Sequence, residues 1–330
     1  MKRIIYYIIL LVVAPFLMTN CSDDDNSTSI PSEEITPPTS QEFNELRNAA
    51  LQSLTQNYTV AIESGVASFT SENGVEVYIS TAFGCFTIEG EQVEGEVQIE
   101  FIELFNKANL LTTNIATMGR HTNGDLEMLV TGGAFYINVT QDGQPIDEGH
   151  CGVSMQVPTS LTGGVDYDMI LWHGNFDENG NLVWDEVNAQ AGQGGEMGIN
   201  DDNYSFWTSQ FGWTNVDRFY NDPRPKTTIL VDVPEGYDNT NSSVYISYDG
   251  ELGLARLDTY DSETGYFSEH YGLIPIGLEC HIIFVSEYEG EWVYAIKPIT
   301  IVEDDVIEIL LSDLETATQT ELANLIDTLS

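Results

Sequence analysis

Apolar residues at every second position, in short runs closed by a glycine turn, constrain this chain more than any other feature. Val75, Val77 and Ile79 alternate with polar residues, as do Val97, Ile99 and Phe101, and then Phe135, Ile137 and Val139. Asn73-Gly74, Glu94-Gly95 and Asp142-Gly143 punctuate these runs. Successive side chains of a strand point to opposite faces, so this period describes strands with one face in a core and one in water. Met169 to Trp172 and Leu182 to Trp184 flank Asp177-Glu178-Asn179-Gly180-Asn181, the pattern of a hairpin around Asn-Gly. The second half repeats the logic with Ile229, Val231 and Val233, with Val244, Ile246 and Tyr248, and with Ile307, Ile309 and Leu311. There, Ile282 to Val285 and Trp292 to Ala295 flank Glu289-Gly290. Many short strands with regular turns predict an all-β fold of two β-sandwich domains.

Helical spacing occurs only near the two ends. Thr39 and Glu42 have the spacing of a capping box ahead of Phe43, Leu46, Ala50 and Leu54. Thr318 and Glu321 repeat it ahead of a stripe formed by Leu322, Leu325, Ile326 and Leu329. Pro223 and Pro225 interrupt the strand pattern and mark a boundary. The expected organisation is a first sandwich over 41–222, carrying the glycine-rich loop Ala191 to Gly195, a second over 223–313 and a helix over 314–330.

The chain opens differently. Lys2 and Arg3 precede an apolar run from Ile4 to Leu17, and Met18-Thr19-Asn20 lead to Cys21 and the acidic stretch Ser22-Asp23-Asp24-Asp25. The run is about fourteen residues, short of the roughly twenty needed to span a bilayer as a helix. A charged start, a short apolar core and a cysteine at its exit resemble a bacterial lipoprotein signal peptide over 1–20. The resemblance implies lipid on Cys21 and attachment to the membrane through it. The acids after Cys21 resemble the signal that sends lipoproteins of Bacteroidetes-type bacteria to the outer face of the outer membrane, which implies surface exposure. Residues 21–40, rich in Asp, Ser, Thr and Pro, bury almost nothing and read as a flexible tether.

Charge excludes one class of partner. The chain carries 10 Lys+Arg against 53 Asp+Glu, a formal charge of −43. A field of that sign repels phosphate backbones, and no basic stripe opposes it, so nucleic acid is not a partner.

A second resemblance covers residues 68 to 145. Gly74 through Ile79, Ala82-Phe83, Gly90 with Val93 through Val97, and Gly132 through Ile137 up to Asp142-Gly143 are similar to the β-sandwich shared by zonula occludens proteins, netrin receptors and ankyrins. Gly212 through Tyr220 resembles a segment of uncharacterised surface lipoproteins that carry this sandwich. In the eukaryotic members the domain is an interaction module, so the resemblance implies contact with a partner, an extracellular protein or glycan, rather than catalysis.

Candidate chemistry is sparse. Nucleophile elbows, phosphate loops, dinucleotide fingerprints and zinc-protease helices are absent from the sequence. His150-Cys151, Cys280-His281 and His121 supply zinc-ligand types without ligand spacing, so no metal site is assigned. Asp177, Asn179 and Asn181 have the oxygen spacing of a calcium loop, but Leu182 and Asn188 stand where that template needs Gly and Glu; a hairpin turn explains the same residues. No cofactor is expected, calcium being the one weak candidate. With Cys21 lipidated, Cys85, Cys151 and Cys280 remain: Cys85 and Cys151 can bridge, or all three can be small buried residues. Trp172, Trp184, Trp207 and Trp213 are either core or an exposed platform for a ligand. The leading expectation is a non-enzymatic, lipid-anchored surface protein that binds protein or glycan. A polymer-degrading hydrolase with unrecognised carboxylates and a calcium-dependent adhesion module are the alternatives.

Overall fold

The alternating runs form strands, and the fold is predominantly β. The computed structural model describes residues 35–329, apart from 63–64, 83–84, 149–151, 179, 189–193, 196 and 270. The signal peptide, Cys21, His150, Cys151 and most of the proposed tether lie outside the described residues. Residues from Ile35 onward belong to one compact unit.

Two sheets make the first layer pair. Sheet I runs, in spatial order, Gln56–Ala61, Glu96–Leu104, Leu126–Gln141, Gly212–Phe219, Ile170–Phe176, Leu182–Glu186 and Met118–Arg120. Sheet II runs Gly198–Asn200, Asn203–Thr208, Val153–Pro158, Glu76–Ser80 and Val66–Thr70. Val77 and Ile79 of sheet II and Val97, Ile99 and Phe101 of sheet I are buried, as their spacing predicts. The sheets meet through aromatic pairs: Phe69 stands edge-on to Phe101 at 5.4 Å, and Phe135 lies 6.2 Å from Phe206. The expected hairpin is present. Ile170–Phe176 pairs antiparallel with Leu182–Glu186, and the Asp177 carboxylate closes the turn by accepting from the Asn181 backbone N–H at 2.8 Å and its amide at 3.2 Å.

A second layer pair follows. Sheet III runs Ala255–Arg256, Ser243–Tyr248, Glu279–Tyr288, Glu291–Thr300 and Glu315–Ala317; sheet IV runs Thr259–Asp261, Tyr266–Ser268, Leu230–Asp232 and Val306–Glu308. Leu230–Asp232 and Val306–Glu308 pair in parallel. A parallel neighbour needs a long crossover, here everything between residues 232 and 306, which alternation alone does not reveal.

Three α-helices occur among the described residues: α1 (Ser40–Ser53), α2 (Lys107–Thr112) and α3 (Gln319–Asp327). Both expected capping boxes are formed, Thr39 with Glu42 on α1 and Thr318 with Glu321 on α3. Each satisfies backbone donors that a helix start leaves without partners. Of the α3 stripe, Leu322 and Ile326 are fully buried, whereas Leu325 is exposed. Helix α1 docks on the second layer pair, with Phe43 edge-on to Trp292 at 6.3 Å. The chain ahead of it is held there too, because the Asn241 amide donates to the Pro38 carbonyl at 3.1 Å. The two halves interlock elsewhere: Thr131 N–H donates to Leu252 O at 2.7 Å, and Thr117 N–H to Leu254 O at 3.0 Å.

Candidate functional site

Three of the four candidate tryptophans belong to the core. Trp172 and Trp184 are fully buried and Trp213 nearly so. Their indole nitrogens explain why burial costs little: Trp172 Nε1 donates to Asp217 O and Trp184 Nε1 to Ala116 O, both at 2.9 Å. Trp184 also stands edge-on to Trp213 at 6.4 Å. A ligand platform built on Trp172, Trp184 and Trp213 is thereby corrected to core packing, because no ring face is open to solvent.

Trp207 is different. It is 40% exposed on the outer face of sheet II. Register places it in a transverse row: Trp207 stands opposite Ser154, Ser154 opposite Tyr78, and Tyr78 opposite Ser68. Directly opposed residues share a face, so all four side chains point outward, and all four are exposed. Neighbouring strands lie about 4.8 Å apart, so Tyr78 and Trp207, two strands apart, stand about 10 Å from each other. The adjacent row is polar: Thr70 opposite Glu76, Glu76 opposite Gln156, and Gln156 opposite Ser205. The Tyr78 hydroxyl donates to Glu76 Oε2 at 2.7 Å, and this bond to an acceptor raises the phenol above its ordinary range.

Two glycines seat the Trp207 ring. A Cβ at Gly152 would come within 2.7 Å of the indole and 2.8 Å of Thr208 O, and one at Gly195 would overlap indole Nε1. Gly195 N–H also donates to Trp207 O at 3.0 Å, which ties the glycine-rich segment to the strand beneath the ring. Its sequence, rich in glycine, marks that segment only as a loop. Tyr78 was missed because an alternating outward tyrosine carries no signal until its cross-strand neighbours are known.

A separate cleft of about 500 Å³ lies where residues 162–169 face the turn at residues 250–252. Asp166, Asp168, Arg218, Glu251 and the highly exposed Tyr167 line it. Arg218 Nε contacts Asp166 Oδ2 at 2.6 Å. Burial works to raise the Asp166 carboxyl, but the Arg218 bond and the Asp168 N–H hold it below its ordinary range. Asp166 is thus kept as a carboxylate and is a poor proton donor.

Burial pushes three acids upward among the described residues: Asp217 and Glu269 in the interior, and Asp327 on α3, which is exposed and accepts from the Ala108 N–H at 3.2 Å. Asp217 is fully buried, and burial raises it well above its ordinary range, an effect that the Thr131 hydroxyl and Gly132 N–H only partly offset. Asn215 Nδ2 donates to Asp217 Oδ2 at 2.7 Å, while both residues' Oδ1 atoms have no partner. Burial likewise raises Glu269, whose carboxylate caps the backbone N–H groups of Tyr271 and Gly272.

Among the described residues, the histidines and cysteines do not converge. His121 pairs with Glu127 at 2.9 Å and stacks on Phe219 at 4.0 Å, and His281 Nδ1 contacts Asp249 at 2.8 Å. Cys280 and His281 point to opposite faces, opposite Tyr248 and Ser247 respectively. Lys107 Nζ donates to Ser247 Oγ and Tyr248 O, both at 2.9 Å. A serine beside a lysine that burial has lowered suggests nucleophilic chemistry, yet Ser247 is fully buried; the pair instead ties α2 to sheet III. Cys85 is disulfide-bonded and Cys280 is free. Cys151 lies outside the described residues, although the strands flanking it bring Glu148 opposite Phe86 and Val153 opposite Ile79.

No protein-family model matches this chain, and no curated protein matches it.

Proposed function

We propose that this protein is a non-enzymatic, lipid-anchored envelope protein, attached through Cys21, that holds an extracellular glycan against the exposed face of sheet II. The observation that carries the reading is that Tyr78 and Trp207 flank Ser154 on one exposed sheet face. A sugar ring has apolar C–H faces and a polar rim. Two aromatic rings about 10 Å apart suit the faces of two sugars along a chain, and the row of Glu76, Gln156 and Ser205 suits their hydroxyls.

The overall charge narrows the ligand. A chain at −43 repels anionic polysaccharides, so the glycan is a neutral one. Binding is favoured over hydrolysis because Asp217 and Glu269, raised by burial, are interior, Asp327, also raised, is held by the Ala108 N–H at the start of α2, and Asp166 in the open cleft is locked as a carboxylate. The resemblance of residues 68 to 145 to an interaction module supports the same reading, as does the resemblance of residues 1–20 to a lipoprotein signal.

Affinity electrophoresis through gels containing neutral polysaccharides tests the proposal. At least one should retard the protein, and Trp207→Ala and Tyr78→Ala should each abolish most of the retardation. Equal retardation of both variants and the unsubstituted protein, or none by any neutral polysaccharide, ends the reading.

A further inference from the structure

Two arginines are exceptions in a chain with 53 acids and 10 basic residues. Arg120 contacts Asp185 at 3.1 Å, Arg218 contacts Asp166 at 2.6 Å and Arg224 contacts Asp222 at 2.5 Å. Arg47 and Arg256 have no carboxylate within ion-pair distance among the described residues. An arginine stays charged in proteins, so its counter-charge must come from somewhere if it is not exposed to water.

The two lie close together on the helical face of sheet III. Arg256 stands directly opposite Tyr245, so both side chains leave the same face at the sheet edge. The Tyr245 hydroxyl at 2.5 Å and Arg256 Nη1 at 2.9 Å converge on one acceptor, Asn114 Oδ1. Arg47 reaches the same patch from α1: its Nη2 donates to Ser243 Oγ at 2.5 Å, and its guanidinium sits 3.9 Å from the Phe43 ring centre. Ser243 is two residues from Tyr245 on one strand, so it shares that face. The Nε atoms of both arginines are buried without an acceptor. A buried donor left unpaired is costly, and here two are left within one patch.

The acids that share a cavity with Arg256 have bonds of their own. Asp177 and Asp258 line a small cavity beside Arg256. Asp177 closes its own hairpin turn through Asn181, and the Asp258 carboxylate is bonded to the Tyr271 hydroxyl. Arg47 and Arg256 are each half-buried, so part of each side chain meets solvent although its Nε does not. Burial, with Arg256 nearby, pushes the Arg47 guanidinium down to about 10, as expected for a cation without a counter-ion.

We infer that Arg47 and Arg256, with Tyr245 between them, form a binding site for the oxyanion group of a small molecule at the edge of sheet III. The planar guanidinium fork, with donors spare on each arginine, matches a carboxylate or phosphate oxygen pair. This site is independent of the glycan face on sheet II.

The test is calorimetric titration of the full-length protein in detergent with sodium phosphate and, separately, sodium glucuronate, each at an ionic strength held constant with chloride. Saturable binding of one of them, close to one per chain, is expected, and which one binds tells phosphate from carboxylate. A saturable rise in melting temperature should accompany it, because a ligand that binds only the native state stabilises by mass action. Arg47→Gln and Arg256→Gln should each weaken binding at least tenfold. Circular dichroism on the same samples verifies folding, which these substitutions should preserve because they remove an uncompensated charge. Absence of heat with both anions in the unsubstituted protein overturns the inference on its own. Unchanged affinity in the folded double variant does so as well.

Discussion

The indole of Trp207 rests on Gly195 so closely that a single methyl group there would collide with it. The two residues lie on different segments, and Gly195 N–H to Trp207 O at 3.0 Å fixes their relation. Gly195→Ala should therefore displace the ring while leaving the sheet intact. The expected result is a shift in tryptophan emission and loss of polysaccharide retardation, with an unchanged far-ultraviolet dichroism spectrum. Retardation equal to that of the unsubstituted protein would show that the seat of the ring is irrelevant to binding.

Asp217 predicts an unusual pH dependence. Burial raises its folded-state pKa well above 3.8, so the native protein holds a proton that the unfolded chain gives up near that pH. Its favourable contribution is complete below that value and is lost as the pH climbs toward the folded pKa. Asp217→Asn cannot ionise and keeps an oxygen to accept from Asn215. Urea midpoints should find the variant more stable at pH 7 by about 1–3 kcal/mol, the usual cost of an unsatisfied buried group. The gap should close in acid; a variant less stable at pH 7 would sink the argument.

Gly133 should not tolerate substitution. Its φ is +124°, and a Cβ there would come within 2.6 Å of Phe105 and 2.9 Å of Phe135. It occupies an irregularity in sheet I, where Asn215 pairs with Ala134 but Asp217 pairs with Thr131. Gly133→Ala combines backbone strain with overpacking, each worth about 1–3 kcal/mol. A denaturant midpoint within error of the parent would contradict this.

Phe43 anchors α1. It is fully buried, meets Trp292 edge-on and carries the Arg47 guanidinium over its ring. Phe43→Ala should cost about 3–5 kcal/mol, typical of a large-to-small change at a packed aromatic. Limited proteolysis should then cut within residues 35–54 first. If the first cuts fall in sheet IV instead, the helix is not the element that Phe43 secures.

Cys280 should be inert in the native protein. It is buried in sheet III, and desolvation, reinforced by Asp249, pushes its thiol up to about 12. Only the thiolate reacts at an appreciable rate. A thiol reagent at pH 8 should label it on unfolding and not before; stoichiometric labelling within minutes of mixing would place it at the surface.

What the residues themselves disclosed was local. Val75, Val77 and Ile79 announced a one-sided strand, and Thr39 with Glu42 announced a helix start, because each signal is complete within a few positions. What they withheld was partnership. Nothing in the period around Tyr78 says that Ser154 will be its neighbour, or that Trp207 lies one strand further on. Nor does composition distinguish Trp172 from Trp207. Both sit among alternating residues, and only their neighbours in the fold decide which ring meets solvent: Trp172 packs edge-on against Phe219 at 5.1 Å, whereas Trp207 stands on an outer face. The docking of α1 on the far half of the chain was hidden for the same reason, since its apolar stripe fits any complementary surface.

The clamp on the entering chain has a mechanical consequence. Pro37 lies against Gly236, the Asn241 amide grips the Pro38 carbonyl, and α1 follows at once. A pull arriving along the backbone at Ile35 is thus taken up by a helix lying across a sheet and by a proline-braced corner. Tension would have to shear that joint before it could unzip any pair of strands.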